Sequence, residues 1–492
     1  MTFFQKNKNI FILLTAIIFL FFDLKHSSLQ YSKTPLDGDF ANIVLPVSGY
    51  QTVLSDPLAL RSLIQQEKYP ATNRFTAHFL MKVYFDNVPF WFQNIYNPID
   101  SLYASITLAK MLIHIGFLFI LSLYLATYFG FSYKKLVIFS AIISPFLIVN
   151  GPYYENIAFI DFSITYAFFY TLPIIFLMMI YFPIYKYILG KEDFKKPIFY
   201  YLIAFPLILF LVLFGPLNAP LIFLINGLLF LFFLNKYWGS NQKSFSIKTV
   251  LLIFKDINKI VLYFLILGSI LSLYSIYIGL FNTENDWCIL PLIARFKVLP
   301  VGIYNSFFST DIGAFWMVFL IIINTILILT CKPEFKKALF KLYFFLLLFM
   351  ISYCLLLPFG GCRDYRPFIL RRDTFVPNLL VLLFLIAFSS YLAITIFKNQ
   401  SHIFIYLIFF GSFCLHFLKY DELPQYTNDN EKKAIWFISQ KSYYHQNIEV
   451  PYNCPIVSWS RHDNYEQSKN SSLILYKYGI TKKAVLFKNK LE

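Results

Sequence analysis

Apolar segments alternate with short polar loops along almost the whole chain. Runs of about 20 apolar residues are long enough to cross a bilayer as a helix, and shorter runs in the same alternating series are taken with them. Eleven spans are predicted on this basis: residues 10–22, 111–130, 136–150, 164–185, 198–214, 219–234, 260–281, 312–331, 339–358, 375–397 and 402–418. The pattern predicts an all-α polytopic membrane protein.

The polar loops are of two kinds, and this difference predicts the orientation in the membrane. Every second loop, counting the N-terminal segment as the first, is rich in lysine, with eighteen lysines against four acidic residues. Loops with excess positive charge stay in the cytoplasm, so we expect the N-terminus inside and the C-terminus outside. All eight arginines then lie on the outer side, where positive charge is normally scarce.

Residues 1–418 are predicted to form the transmembrane domain, and residues 419–492 a small outer domain. The largest outer loop is 23–110, between the first two spans. Aromatic residues crowd its stretch 88–96, a pattern typical of a helix that lies at the bilayer surface.

The outer tail predicts a small α/β unit. Its segments 455–459 and 472–476 alternate apolar and polar residues, as strands do.

Composition agrees with a membrane protein and argues against a nucleic-acid partner. The chain has 492 residues, of which 58% are hydrophobic and only 14% charged, whereas about a quarter of the residues in soluble domains are charged. The net charge of +16 lies mostly in lysines of short loops between spans. That distribution follows membrane orientation rather than a basic surface for nucleic acid.

The first candidate for chemistry is the acidic motif Asp37-Gly38-Asp39, beyond the predicted end of the first span at residue 22. Two carboxylates close to the bilayer could supply a general base or ligands for a divalent cation. A simple turn is the alternative, because Asp and Gly favour turns. The two acids alone leave metal dependence open.

The second candidate is the arginine loop, 359–374. It contains four of the eight arginines: Arg363, Arg366, Arg371 and Arg372. Guanidinium groups bind phosphate through paired hydrogen bonds. For those next to the following span, contact with lipid head groups is the alternative. Glu155, Arg74 and Arg295 are candidates to line the same cavity.

One chemistry accommodates both candidates. Sugar transfer on the outer side of a membrane uses a polyprenyl-phosphate donor, because nucleotide sugars are absent there. Arginines would stabilise the charge that the leaving phosphate gains, and a carboxylate would take the proton of the acceptor hydroxyl. The sugar carbon would invert. The chain contains no nucleotide-binding loop, and the chemistry requires no cofactor, although a divalent cation stays possible.

In overall plan the chain resembles the GT-C class of integral-membrane glycosyltransferases. Those enzymes combine a cytoplasmic N-terminus, a similar number of spans, a large first outer loop and an acidic motif after the first span. Some also have an outer C-terminal domain. The resemblance implies that Asp37 or Asp39 is the catalytic acid and that the arginine loop faces the lipid phosphate. The motif lies further from the predicted first span than it does in the family.

This plan indicates an enzyme of the bacterial inner membrane that binds a polyprenyl-phosphate sugar among the membrane lipids. Three other functions stay open: an O-antigen ligase or polymerase, a transporter of lipid or glycan, and a structural membrane protein without a site. A transporter would place ionisable residues inside its spans, whereas the predicted spans are almost free of charge. The sequence makes no prediction of oligomeric state.

Overall fold

A computed structural model describes most of the chain. The described residues are 3–147, 159–191, 194, 197–241, 257–287, 290–308, 314–360, 369–370, 372–397, 400–421 and 427–490. They form a bundle of long helices with a small α/β unit at one end.

The helices of residues 3–421 are numbered in chain order. They are α1 (Phe3–Ser32), α2 (Gly38–Val44), α3 (Ser48–Ser55), α4 (Leu60–Gln65), α5 (Phe75–Phe92), α6 (Pro98–Tyr128), α7 (Tyr133–Ile143), α8 (Ile164–Ile188), α9 (Pro197–Val212), α10 (Asn218–Asn241), α11 (Lys259–Gly279), α12 (Leu292–Phe308), α13 (Ala314–Cys331), α14 (Lys336–Leu356), α15 (Arg372–Ile396) and α16 (Gln400–Tyr420).

Within the described residues, nine helices are long and apolar enough to cross a membrane: α1, α6, α8, α10, α11, α13, α14, α15 and α16. The chain is therefore a membrane-embedded helical protein. The predicted spans 136–150 and 198–214 correspond to the shorter helices α7 and α9, of 11 and 16 residues. At 1.5 Å per residue these are about 16 Å and about 24 Å long, less than the roughly 30 Å of a bilayer core.

Helix α1 continues ten residues beyond the predicted end of the first span, to Ser32. Most of the added residues are polar, and neighbouring parts of the chain supply hydrogen-bond partners for several of them. The buried carboxylate of Asp23 accepts a hydrogen bond from Ser144, and Gln30 donates to a backbone carbonyl just after α16 (2.9 Å). Asp37 therefore lies five residues after the helix end, much nearer to the first span than the sequence predicted.

Three spans form the most buried part of the bundle: α6, α8 and α15. Helix α15 packs along α13, where Asn324 donates hydrogen bonds to Ser389 and Ser390 (both 3.0 Å) and accepts one from Tyr406 of α16 (2.9 Å). Such side-chain hydrogen bonds are the usual polar contacts between membrane helices. In the predicted alternation, the N-terminal ends of these three spans all lie on the outer side.

The loop predicted to be the first outer one, 23–110, contains the helices α2 to α5. The carboxylate of Asp56 accepts hydrogen bonds from the N–H groups of Leu60 (2.8 Å) and Arg61 (2.9 Å), which are the first two residues of the short helix α4. At the end of α5, Trp91 is 66% exposed and Ile95 is 74% exposed. An aromatic and apolar surface is therefore present where the interfacial stretch was predicted.

The tail contains α17 (Asp429–Lys441), β1 (Asn447–Val450), α18 (Lys469–Lys477) and β2 (Leu486–Asn489). The strands are parallel, with Asn447 opposite Leu486. The predicted strands are wrong: 455–459 contains none, and 472–476 lies in α18. Ile474 and Leu475 are adjacent and both buried, which one helix face allows and the alternation of a strand does not.

Candidate functional site

Asp37 lies between α1 and α2, and its carboxylate connects α2 to α8. It caps α2 by accepting hydrogen bonds from the N–H groups of Asp39 (3.1 Å) and Phe40 (3.0 Å). Three further donors come from the start of α8: the hydroxyl of Ser163 (2.8 Å) and the hydroxyl (2.8 Å) and N–H (3.1 Å) of Thr165. A carboxylate has about four lone-pair positions, so these donors use its accepting capacity fully. Asp37 thus fixes the geometry of the site.

Asp39, the second acid of the motif, lies in the first turn of α2 and is partly exposed. Its charge reaches the hydroxyl of Tyr50: burial, then the carboxylates of Glu284 and Asp39, raise the pKa of Tyr50 well above its ordinary value. The helix cap is Asp37, not Asp39. The two acids therefore have different surroundings, and Asp39 is the one better placed to exchange a proton with a ligand.

Arg372 is the first residue of α15, and it pairs with Asp161 just before α8. Its Nε lies 2.9 Å from Oδ2 of Asp161, whose other oxygen accepts the N–H of Ser163 (2.9 Å). The guanidinium carbon lies 5.2 Å from the ring centre of Phe162 and 6.0 Å from that of Tyr166, which is cation–π distance. An ion pair and two aromatic rings hold this arginine in place.

Residues 161–165, which we term the bridging segment, join the acidic motif to the arginine. Asp161 at one end binds Arg372, while Ser163 and Thr165 towards the other end bind Asp37. The structure therefore brings the acidic motif and one residue of the arginine loop to the same short segment.

Lys110 is a buried cation of α6 that contacts the bridging segment. Its ammonium group donates hydrogen bonds to the carbonyl of Phe162 and to the hydroxyl of Thr34 (3.0 Å), and it interacts electrostatically with Asp161 and Asp37. A buried charge is costly unless it is paired and hydrogen-bonded, and these groups satisfy both conditions. Lys110 lies one residue before the predicted span 111–130, and the longer helix α6 includes it.

The outer tail contacts the acidic motif through the buried carboxylate of Glu431, in α17. This carboxylate accepts hydrogen bonds from the N–H groups of Leu36 (3.0 Å) and Val457 (2.8 Å) and from the hydroxyl of Tyr103 (2.7 Å). Burial raises the pKa of Glu431 to about 7, although the three hydrogen bonds oppose the rise. One side chain thus joins the residue before Asp37, helix α6 and the tail.

Trp459 of the tail lies directly against the glycine of the acidic motif. A Cβ atom at Gly38 would lie 2.7 Å from the backbone nitrogen of Trp459 and closer still to its ring. The ring centre is 6.1 Å from that of Phe162 and 5.8 Å from that of Tyr166. Glycine is therefore required between the two acids while the tail is in place, and the tail forms one wall of the site.

A second polar cluster lies beside the first and consists of Arg74, Glu284, Tyr50 and His78. Arg74 pairs with Glu284 (2.8 Å), which also accepts the hydroxyl of Tyr50 (3.3 Å). Within the described residues, neither ring nitrogen of His78 has a hydrogen-bond partner, and neither does Nε of Arg74. Burial, and then the charge of Arg74, lower the pKa of His78 to about 3, so this imidazole is neutral.

Among the remaining predicted site residues, Arg295 is the one that the structure describes, and its contacts lie elsewhere. Arg295 was expected to line the cavity, but its Nε donates to the carbonyl of Leu290 (2.9 Å) and its Nη1 to that of Pro358 (3.1 Å). It therefore connects two loops through their backbones. The remaining candidates lie outside the described residues: Glu155, Arg363, Arg366 and Arg371.

Several residues of the site were not predicted from the sequence, among them Ser163, Lys110, Glu431 and Trp459. Ser163 had a recognisable signal, because a serine just before an apolar run is a typical helix N-cap. Lys110 had a weaker one, as a lysine at the edge of a predicted span. Glu431 and Trp459 had none, since only the folded tail brings them to the acidic motif.

The described residues do not form an evident metal site. Among them, no group of three or more His, Cys, Asp or Glu side chains is close enough to hold a metal ion. The carboxylate of Asp37 is occupied by five protein donors. Asp39 is the more exposed of the two carboxylates.

Five parts of the chain meet at this site: the segment between α1 and α2, helix α6, the starts of α8 and α15, and the tail. Carboxylates, cations and aromatic rings are in contact there. No protein-family model matches the chain, and no curated protein or solved structure is detectably similar to it.

Proposed function

We propose that the chain is a GT-C-like glycosyltransferase that moves a sugar from a polyprenyl-phosphate donor to an acceptor hydroxyl. The reaction would occur at the outer face of a bacterial inner membrane. The bridging segment supports this most, because it holds the acidic motif and Arg372 at its two ends. A transferase of this kind needs a base on the acceptor side of the sugar and a cation on the phosphate side.

In this proposal Asp39 is the general base and Arg372 contacts the lipid phosphate. Arg363, Arg366 and Arg371 add to the phosphate site. The acceptor oxygen bonds to the anomeric carbon as the bond from that carbon to the phosphate oxygen breaks. The electron pair of the broken bond stays on the phosphate, the hydroxyl proton passes to Asp39, and the carbon inverts.

Asp37 and Lys110 are positioning residues in this mechanism. Asp37 holds α2, and therefore Asp39, against α8 through five hydrogen bonds. Lys110 holds the bridging segment through the carbonyl of Phe162 and balances the nearby carboxylates. Preorganised charges of this kind contribute to catalysis because they need no rearrangement during the reaction.

Transport of a lipid or glycan is a second candidate, and the buried ionisable residues of α6 favour it. Lys110 and His114 are both fully buried in this span, as residues on a transport path often are. However, Lys110 is bound at the outer-end site, to Thr34 and to the bridging segment. Purified protein in vesicles should therefore transfer sugar without moving the lipid donor across the bilayer.

Substitution of Asp39 tests the proposed base. Asp39→Asn should reduce sugar transfer to background while the purified protein keeps its thermal midpoint, because this carboxylate does not cap α2. Asp100→Asn is the matched control, since Asp100 is also an acid in the first turn of a helix, and its side chain is 48% exposed and pairs with Lys432. Full activity in Asp39→Asn would show that another group accepts the proton.

A further inference from the structure

Trp459 is partly exposed although several groups contact it. It packs against Gly38 and lies beside Phe162 and Tyr166, yet 44% of the residue remains accessible. A tryptophan that served only to dock the tail would bury most of its area, because that burial is its main contribution. Trp459 therefore contacts the acidic motif and keeps accessible surface beside it.

The backbone near Trp459 is held in a strained conformation. Val457 has φ of +50°, which is a rare and costly region for a β-branched residue. Its N–H donates to Glu431 (2.8 Å) and its carbonyl accepts the hydroxyl of Ser471 (3.0 Å). Since Glu431 also binds Leu36, the position of Trp459 is fixed relative to the acidic motif.

The surrounding groups define what could bind next to this ring. Trp459 contacts Gly38, which lies between the two acids. Its aromatic neighbours Phe162 and Tyr166 also make cation–π contacts with the guanidinium of Arg372. Aromatic rings thus stand between the acids and the arginine. A neutral, ring-shaped group with one apolar face suits such a surface.

We infer that Trp459, together with Tyr166, forms the binding platform for the sugar ring of the donor, so that the tail contributes directly to substrate recognition. This inference rests on the proposed glycosyltransferase function. A pyranose presents a face of C–H groups that packs on an aromatic ring. The electron-rich ring also favours the positive charge that develops at the sugar carbon during transfer.

Binding measurements on the full-length protein in detergent test the inference. The probes are farnesyl phosphate and farnesyl phosphate carrying glucose, mannose or galactose. The wild type should bind at least one sugar-bearing lipid more tightly than the bare phosphate. Trp459→Ala should remove roughly five- to tenfold of the affinity for that lipid, the size of one aromatic contact. It should leave the affinity for farnesyl phosphate unchanged, which also shows that the site is folded.

Two further variants separate sugar binding from structural damage. Trp459→Phe keeps an aromatic face and should recover most of the affinity for the sugar-bearing lipid. Trp436→Ala removes another tryptophan of the tail, 55% exposed on α17, and should change neither affinity. Equal loss for both lipids in Trp459→Ala would mean that the ring only supports the fold, which overturns the inference.

The same experiment distinguishes failure of the inference from failure of the proposed function. If the wild type prefers a sugar-bearing lipid and Trp459→Ala retains that preference, the platform is elsewhere and the transferase stands. If the wild type binds farnesyl phosphate and all three sugar-bearing lipids equally, the protein does not recognise a donor sugar, and both proposals fall.

Discussion

Two largely buried acid–arginine pairs of this protein have different surroundings. Asp161 and Arg372 are 2.9 Å apart, and Glu284 and Arg74 are 2.8 Å apart. In the first pair, the carboxylate also binds the backbone of α8 and the guanidinium lies over aromatic rings. Beside the second pair, His78 is buried with both ring nitrogens unpartnered among the described residues.

The difference indicates two uses of buried polar groups. A buried polar atom without a partner costs about 1–3 kcal/mol, and the network around Asp161 avoids this cost by using its oxygens to hold helix starts. In the cluster around Arg74 this cost remains, because the ring nitrogens of His78 and Nε of Arg74 have no hydrogen-bond partner among the described residues. The first region is therefore built for precise positioning, whereas the second retains hydrogen-bonding capacity that the described residues do not use.

The largest effect is expected from the residue that holds the first region together. Asp37→Ala removes the acceptor of five hydrogen bonds, including the cap of α2. Loss of the cap costs about 1 kcal/mol and each stranded donor 1–3 kcal/mol, so we expect a loss of about 3 kcal/mol or more. Thermal unfolding in detergent measures this. A shift no larger than that of Asp100→Asn would contradict the positioning role.

The second largest effect is a pH dependence that comes from Glu431. Burial raises its pKa to about 7 from an ordinary 4.5, so the folded protein holds this proton more tightly than the unfolded chain. The stabilisation is complete below pH 4.5 and is lost as the pH rises through about 7, by up to about 3 kcal/mol.

Glu431→Gln should remove this dependence. Between pH 5 and pH 8 the wild type should lose about 2–3 kcal/mol more stability than the variant, whatever their absolute difference. Chemical denaturation at both pH values provides the comparison, because all other titrating groups are common to the two proteins. Parallel pH profiles would show that the buried carboxylate does not control docking of the tail.

The apolar pattern predicted most of the fold, and the reason is physical. A bilayer requires long apolar helices, so their approximate positions can be read from the chain. The pattern failed where partners distant in sequence satisfy polar residues. The extension of α1 to Ser32 depends on groups such as Ser144, and the wrong strand at 472–476 depended on burial that only the folded tail defines.

The site was predictable to a smaller extent. Asp37 and Arg372 were identified by residue type and by the side of the membrane, and both belong to the network that the structure describes. Their different roles were not predictable, because they arise from hydrogen bonds across large sequence separations. The use of Trp459 as a wall of the site depends on a contact with Gly38 that lies more than 400 positions earlier.

A conservative substitution at Arg372 and at Arg74 should show which of the two pairs contacts the lipid phosphate. Lysine keeps the charge but loses the planar fork and the stacking on aromatic rings. Arg372→Lys should weaken binding of farnesyl phosphate about tenfold, or about 1.4 kcal/mol, because its guanidinium is proposed to contact the phosphate. Arg74→Lys should leave this affinity within about twofold. Equal losses in a direct binding assay would mean that both pairs contact the phosphate.

At pH 7.5 the smallest effect is expected at His78, which belongs to the second region. His78→Phe fills the same space between Tyr50 and Phe169 and removes two unpartnered nitrogens, so the variant should be more stable by about 1 kcal/mol at pH 7.5.

The low pKa of His78, about 3, adds a pH dependence. Below the ordinary 6.5 the unfolded chain takes up a proton that the folded protein does not, so the wild type loses stability as the pH falls. The advantage of the variant should therefore grow by about 2 kcal/mol at pH 5. If sugar transfer by His78→Phe falls while its stability rises, the unpartnered nitrogens bind the acceptor substrate. If transfer is unchanged, the second region has no part in the reaction, and the two pairs differ only in their effect on stability.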